Sequence, residues 1–127
     1  PGNLGFPVTA TPLVRIGMGI CYDAWFPETF RSSALAGADV VCLPSNWVPV
    51  PGQPEGLLMA HMMSMTGASS NEIYVLACSR SGTERGQDFL GSSIVADPAG
   101  WLQGCGTQRI RHAKAVPHGG QQAPRKL

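Results

Sequence analysis

At 127 residues, with 43% hydrophobic and 13% charged side chains, the chain is one domain's worth of sequence and long enough to bury a core, which sets aside a disordered body. No apolar run approaches the ~20 residues that span a bilayer and no basic-then-apolar leader opens the chain, so no membrane association and a cytoplasmic setting are expected. The formal charge of +1 hides an asymmetry: four arginines face eight acids through Gln103, whereas three arginines, two lysines and no acid follow from Gly104.

That asymmetry divides the chain into a body, residues 1–103, and a basic tail, 104–127. The tail's cations are diluted among Gly, Gln, Ala and Pro with no aromatic ring to stack on a base, so a poorly ordered, solvated end is expected rather than a nucleic-acid arm. The first residue is Pro1 rather than a methionine, which reads as a chain that was processed, trimmed or cut from something longer.

Pro1 to Pro12 holds three prolines and two glycines without periodicity and reads as a loop. Leu13 to Ile20 alternates Val14, Ile16, Met18 and Ile20 with Gly17 and Gly19 on the opposite phase. This predicts a strand whose glycine face something approaches closely. Pro27 suits the first turn of a helix, Glu28 its positive end and Gly37 its stop, which predicts a helix over Pro27 to Ala36. A second strand is expected over Asp39 to Leu43.

Four prolines in the twelve residues from Pro44 to Glu55 predict a long, functional loop. Gly56 to Ser70 reads as a second helix, whose stripe of Met59, Met62, Met63 and Met65 points to core or subunit contact. Strands are expected over Ile73 to Ser79 and Ser92 to Ala96, the latter closed by the turn Asp97 to Gly100. The order strand, helix, strand, helix, strand, strand predicts a layered α/β fold.

Cys21, Cys42, Cys78 and Cys105 form no CxxC pair and have no histidine at zinc-finger spacing, so neither a metal nor a disulfide framework is expected, and no cofactor is implied. Cys42 and Cys78 fall inside strand-like runs, where a thiol behaves as a small hydrophobe. Cys21 differs, because it stands where a strand hands over to a helix, the place where open α/β sheets put their reactive groups. A thiolate there attacks carbonyl or nitrile carbon, with backbone N–H groups, Tyr22 N–H nearest, receiving the developing oxyanion. Asp23, Glu28 and Arg31 read as capping charges and an i, i+3 pair that hold this corner. His61, within the Met-rich helix, reads as a packing or surface residue.

The run Gly19, Ile20, Cys21, Tyr22, Asp23 with Phe26, Pro27, Glu28 and Arg31, followed by Gly37, Ala38, Asp39 and then Pro44, Ser45, Asn46, Trp47, closely resembles the nitrilase or carbon–nitrogen hydrolase superfamily. Later landmarks agree in order: Asn71 before Tyr74, Arg80 and Gly82, then Phe89, Gly91, Ser93 and Asp97, Pro98, Gly100. The likeness covers about Val14 to Leu102 and matches the second half of that family's domain. It implies half of a four-layer α-β-β-α sandwich, a mixed sheet with two flanking helices. It also implies an amidase-like hydrolase that cleaves non-peptide C–N bonds of a small amide through a cysteine thioester, Cys21 being the nucleophile. Tyr22 N–H would then belong to the oxyanion hole, and Asn46 and Trp47 to the acyl pocket.

The family's glutamate base and its lysine precede the cysteine, yet residues 1–20 contain neither, and Lys114 and Lys126 are the only lysines. The triad is therefore expected to be incomplete in this chain. Ala24 and Trp25 stand where D-amino-acid carbamoylases carry arginines, which points to an uncharged or apolar amide. Half a sandwich leaves an apolar sheet face and edges exposed, so homo-oligomerisation or a need for a partner is expected. Two rival readings remain: a catalytically silent interaction module working through its two helices, and a redox-active thiol protein in which Cys42 or Cys78 approaches Cys21.

Overall fold

The structure is a computed structural model and describes residues 3–52 and 58–106. Eight strands and two helices follow in order: β1 Val8–Ala10, β2 Arg15–Met18, α1 Pro27–Leu35, β3 Val40–Ser45, α2 Met59–Asn71, β4 Tyr74–Ser79, β5 Ser81–Glu84, β6 Gln87–Leu90, β7 Ile94–Ala96 and β8 Leu102–Cys105. A single 3₁₀ turn, Cys21–Trp25, lies between β2 and α1. Six strands form one sheet in the order β1-β2-β3-β4-β7-β8, and β5 and β6 make a separate hairpin. The β2, β3 and β4 strands run parallel and the outer pairings are antiparallel, so the sheet is mixed, as expected. Among the described residues no helix is long and apolar enough to cross a membrane.

Two successive crossovers, β2-α1-β3 and β3-α2-β4, step the same way across the sheet. Because such crossovers are right-handed, both helices land on one face. That face holds the core: Phe30 and Ala34 of α1, Ala60 and Ala68 of α2, and Val41, Leu43, Val75, Ala77, Ile94 and Ala96 beneath them, all buried. The glycine phase of β2 serves this packing. A Cβ at Gly17 would come within 2.9 Å of Ser33 Cβ, and one at Gly19 within 2.9 Å of both Thr29 Cγ2 and Leu43 Cδ2. The close neighbour anticipated for that face is therefore α1.

Arginine 15 closes the far end of α1, its guanidinium donating to Ala36 O at 2.7 Å while its backbone N–H donates to Asp39 Oδ2 at 2.9 Å. Gly37 then turns the chain with φ of 90°, which a Cβ would obstruct by meeting the Arg15 side chain.

Several expectations need correction. The buried line of α2 is Ala60, Ser64, Gly67 and Ala68, whereas Met59 and Met62 are exposed and Met65 only borders the core. Small residues win that face because α1 lies so close: a Cβ at Gly67 would come within 2.6 Å of the Phe30 ring. The predicted loop over Pro1 to Pro12 contains β1, the β5–β6 hairpin was not anticipated, and β8 runs to Cys105, past the 103/104 boundary. The first two residues of the second predicted helix, and the tail from residue 107 onward, lie outside the described residues.

The opposite face of the sheet carries Met18, Tyr74, Leu76 and Cys78 exposed and Cys42 half-buried, none of them under a helix. Cys42 and Cys78 thus lie on the open face and not in the core, since register pairs Cys42 with Leu76 and Pro44 with Cys78 on the same side. A concavity of about 520 Å³ lies between them and Val95. Burial pushes the Cys42 thiol up, and the neighbouring Cys78 adds to it. A raised folded-state value means the native chain holds this proton more tightly than the unfolded chain. Its contribution to stability is present below the ordinary thiol range near ~8.5 and lost as pH rises through the raised value. We expect Cys42→Ser to flatten the alkaline fall of the denaturant midpoint. A midpoint falling equally in both proteins above pH 8 would contradict this.

Candidate active site

The carboxyl ends of the three parallel strands lie side by side, and each delivers a residue to one open concavity of about 560 Å³. Cys21 comes after β2, Asn46 after β3 and Arg80 after β4. This edge is where parallel strands present ligand-binding groups, because crossover chains leave the sheet there. The strand ends are tied together: Gly19 N–H donates to Cys42 O at 3.1 Å and Arg80 N–H to Ser45 O at 3.0 Å.

Cys21 is half-buried and has φ of 47°, a left-handed conformation that costs a non-glycine residue on the order of 1–2 kcal/mol. Its neighbours hold it there. Asp23 Oδ2 accepts the Ile20 N–H at 2.7 Å, Asp23 N–H donates to Ile20 O at 3.0 Å, and Thr29 Oγ1 of α1 donates to Asp23 O at 2.7 Å. The thiol therefore projects from a clamped corner. Asp23 is the capping charge anticipated from the sequence. Glu28 and Arg31 are not a pair, since Arg80–Glu84 is the one ion pair among the described residues.

Cys21 opens the 3₁₀ turn, and α1 begins only at Pro27. Tyr22 N–H is the second amide of that turn and so has no acceptor within it. The Tyr22 ring is exposed and packs against Trp25 and Phe26, with centroids 5.9 and 5.4 Å away. Asn46 lines the concavity with Cys21. Trp47 does not: it is 3% exposed, belongs to the core and packs edge-on against His61 at 6.2 Å. His61 donates from Nε2 to Ser92 O at 2.8 Å and, with Trp47 against its ring, is a packing residue. No cluster of three or more metal-ligating side chains occurs among the described residues.

Sequence reasoning overlooked Arg80 and Cys78 at this site. Arg80 was noticed only as a landmark, and its signal was positional: it directly follows β4, as Asn46 follows β3. Its guanidinium lies 4.8 Å above the Phe89 ring and pairs with Glu84 at the end of β5.

The fold is thus a mixed sheet with two helices on one face and a thiol on a clamped corner at the strand ends. The carbon–nitrogen hydrolase family model matches residues 1–109, and the chain belongs to that family. It is 39% identical over 98 residues to a nitrilase of Pyrococcus abyssi, an alignment covering 77% of this chain and 34% of that protein. The crystal structure of Saccharomyces cerevisiae Nit3, a nitrilase-superfamily member, superposes with a TM-score of 0.72 at 33% identity, over 83% of this chain and 37% of that one. An amidase from Nesterenkonia superposes at 0.70 and 30% identity, over 83% and 39%, in a structure described as carrying acrylamide on its active-site cysteine. The chain thus spans between a third and two fifths of the length of these relatives.

Proposed function

We propose that this chain carries the nucleophilic half of an amidase-like active site, with Cys21 attacking the carbonyl carbon of a small amide. The Sγ–C bond forms as the carbonyl π pair moves onto oxygen. Collapse of that tetrahedral species expels the amine, which leaves with the proton that the thiol gave up and that solvent carries across in this chain, and water then cleaves the thioester to the acid and regenerates the thiol. Tyr22 N–H is the donor placed for the oxyanion, and Asn46 the polar side chain beside the acyl group. Trp47 would act from behind, as a wall supporting Asn46 rather than as a surface touching substrate. The proton transfers belong, in this family's chemistry, to a glutamate and a lysine ahead of the cysteine, and residues 1–20 hold neither.

The observation that carries this reading is the left-handed Cys21, clamped through Asp23 at a concavity shared with Asn46. It is supported by the Nesterenkonia amidase, whose active-site cysteine is the residue modified. Incubation with small amides followed by intact mass measurement is expected to show an acyl adduct on the chain that Cys21→Ala abolishes. No adduct and no turnover between pH 5 and 10 would sink it.

A second reading rests on the open sheet face bearing Met18, Tyr74 and Leu76. In it the chain is a silent module that self-associates through this face, and not through α1 and α2, which are already packed on the sheet and on each other. Light scattering is the test, and a monodisperse, cooperatively melting monomer would contradict it.

A further inference from the structure

We propose that the Ser79 hydroxyl is the positioning group for Asn46, setting it beside Cys21 through the backbone of Trp47. The inference rests on the amidase reading above and adds to that site a residue that acts through another. Ser79 ends β4 directly opposite Ser45, which ends β3. Beyond that pair the ladder makes one more bond, Arg80 N–H to Ser45 O at 3.0 Å. A regular parallel ladder would continue with Trp47 N–H donating to Arg80 O, because each residue bonds the two that flank its partner. That carbonyl instead accepts Gly91 N–H at 2.9 Å. Trp47 N–H turns to the Ser79 hydroxyl, which accepts it at 3.1 Å.

The serine thus replaces a missing ladder bond at the point where β3 leaves the sheet. Trp47 is buried, so removing the hydroxyl leaves a buried donor without its acceptor. The carbonyl of Trp47 is held as well, accepting Leu90 N–H at 2.8 Å. Ser79 is fixed from behind, its own N–H donating at 2.9 Å to Oγ of Ser93, the residue that precedes β7. Asn46 therefore stands exposed between two buried neighbours with tied backbones, Ser45 through its carbonyl and Trp47 through both of its groups.

Cys21 is held by a different set of bonds, those of Asp23 and Thr29. The nucleophile and Asn46 are positioned independently, so one can be loosened without the other. Ser79 itself lines the concavity, which makes direct contact with substrate the rival role that a test must separate.

That test is a double-mutant cycle on the full chain, comparing Ser79→Ala, Asn46→Ala and the pair by acylation of Cys21 with propionamide, read by intact mass. Ser79→Ala is expected to slow acylation about tenfold, and Ser79→Thr, which keeps a hydroxyl, to stay within about twofold of the parent. Once Asn46 is alanine, Ser79→Ala should slow nothing further. The iodoacetamide rate at Cys21, which needs only the thiol, should be the same in all of these proteins. Exchange of the Trp47 amide hydrogen, followed by NMR without substrate, should quicken in Ser79→Ala and not in Ser79→Thr. Additive losses in the cycle would show Ser79 touching substrate, and a parallel fall in the iodoacetamide rate would show it holding the whole site. Either result, or a Trp47 exchange rate indifferent to the hydroxyl, overturns the proposal while the amidase reading stands. Absence of acylation in the parent, with Trp47 exchange still governed by Ser79, overturns the amidase reading and leaves Ser79 as the residue that fixes Asn46.

Discussion

Replacing Phe30 with alanine is expected to cost about 3–5 kcal/mol, a large share of the roughly 5–15 kcal/mol by which a domain is stable. Phe30 is 1% exposed and is the largest fully buried side chain of the core. Its ring fills the seam between α1, α2 and the sheet so tightly that Gly67 can carry no side chain beneath it. The interplay fixes the sign of a second substitution. Alanine at Gly67 alone gains about 1 kcal/mol in helix propensity but forces the ring aside at about 1–3 kcal/mol, so it destabilises on balance. In the Phe30→Ala background the clash is gone and the propensity gain remains, so Gly67→Ala should then stabilise. Denaturant midpoints for the four proteins of this cycle check both signs, and additive effects would show that the two residues are not in contact.

Asp23→Ala is expected to slow acylation of Cys21 at least tenfold while costing folding about 1–2 kcal/mol. The carboxylate accepts the Ile20 N–H at 2.7 Å and so holds the corner that keeps Cys21 left-handed. Without that acceptor the cysteine can relax to an ordinary right-handed or extended conformation, and the thiol leaves its place beside Asn46. Asparagine retains an acceptor oxygen and should preserve most of the rate, which separates a positional role from a need for negative charge. The measurement pairs acylation rate with a melting curve. A stability loss with an unchanged rate would show that the corner does not depend on Asp23.

Much of the layout was legible in the residues because local signals were strong. Alternating apolar positions, Pro27 with Glu28 and the stop at Gly37 located β2 and α1 to within a few residues, and Gly17 and Gly19 announced a close neighbour. The hairpin was invisible because β5 is exposed at every position and its turn, Arg85-Gly86 with both φ positive, lacks the Asn-Gly signal of such turns. β1 and β8 were missed because Val8–Ala10 lies in a segment broken by Pro7 and Pro12, and Leu102–Cys105 carries a glycine and a single large apolar side chain, so neither shows the apolar alternation of β2. At the site, Cys21 and Asn46 could be read from motif, whereas Trp47 is turned into the core beside His61, a rotation that sequence order does not encode.

Unaided, the residues determine a carbon–nitrogen hydrolase half-domain with a thiol at a strand end, since periodicity, turn chemistry and motif all act over short stretches of chain. The fold alone decides that Arg80 joins that thiol, that the buried face of α2 is made of small side chains, and that Cys42 and Cys78 lie on the open face. Each of these depends on strand register and on which side a right-handed crossover places its helix, and those are properties of chain segments meeting across long separations.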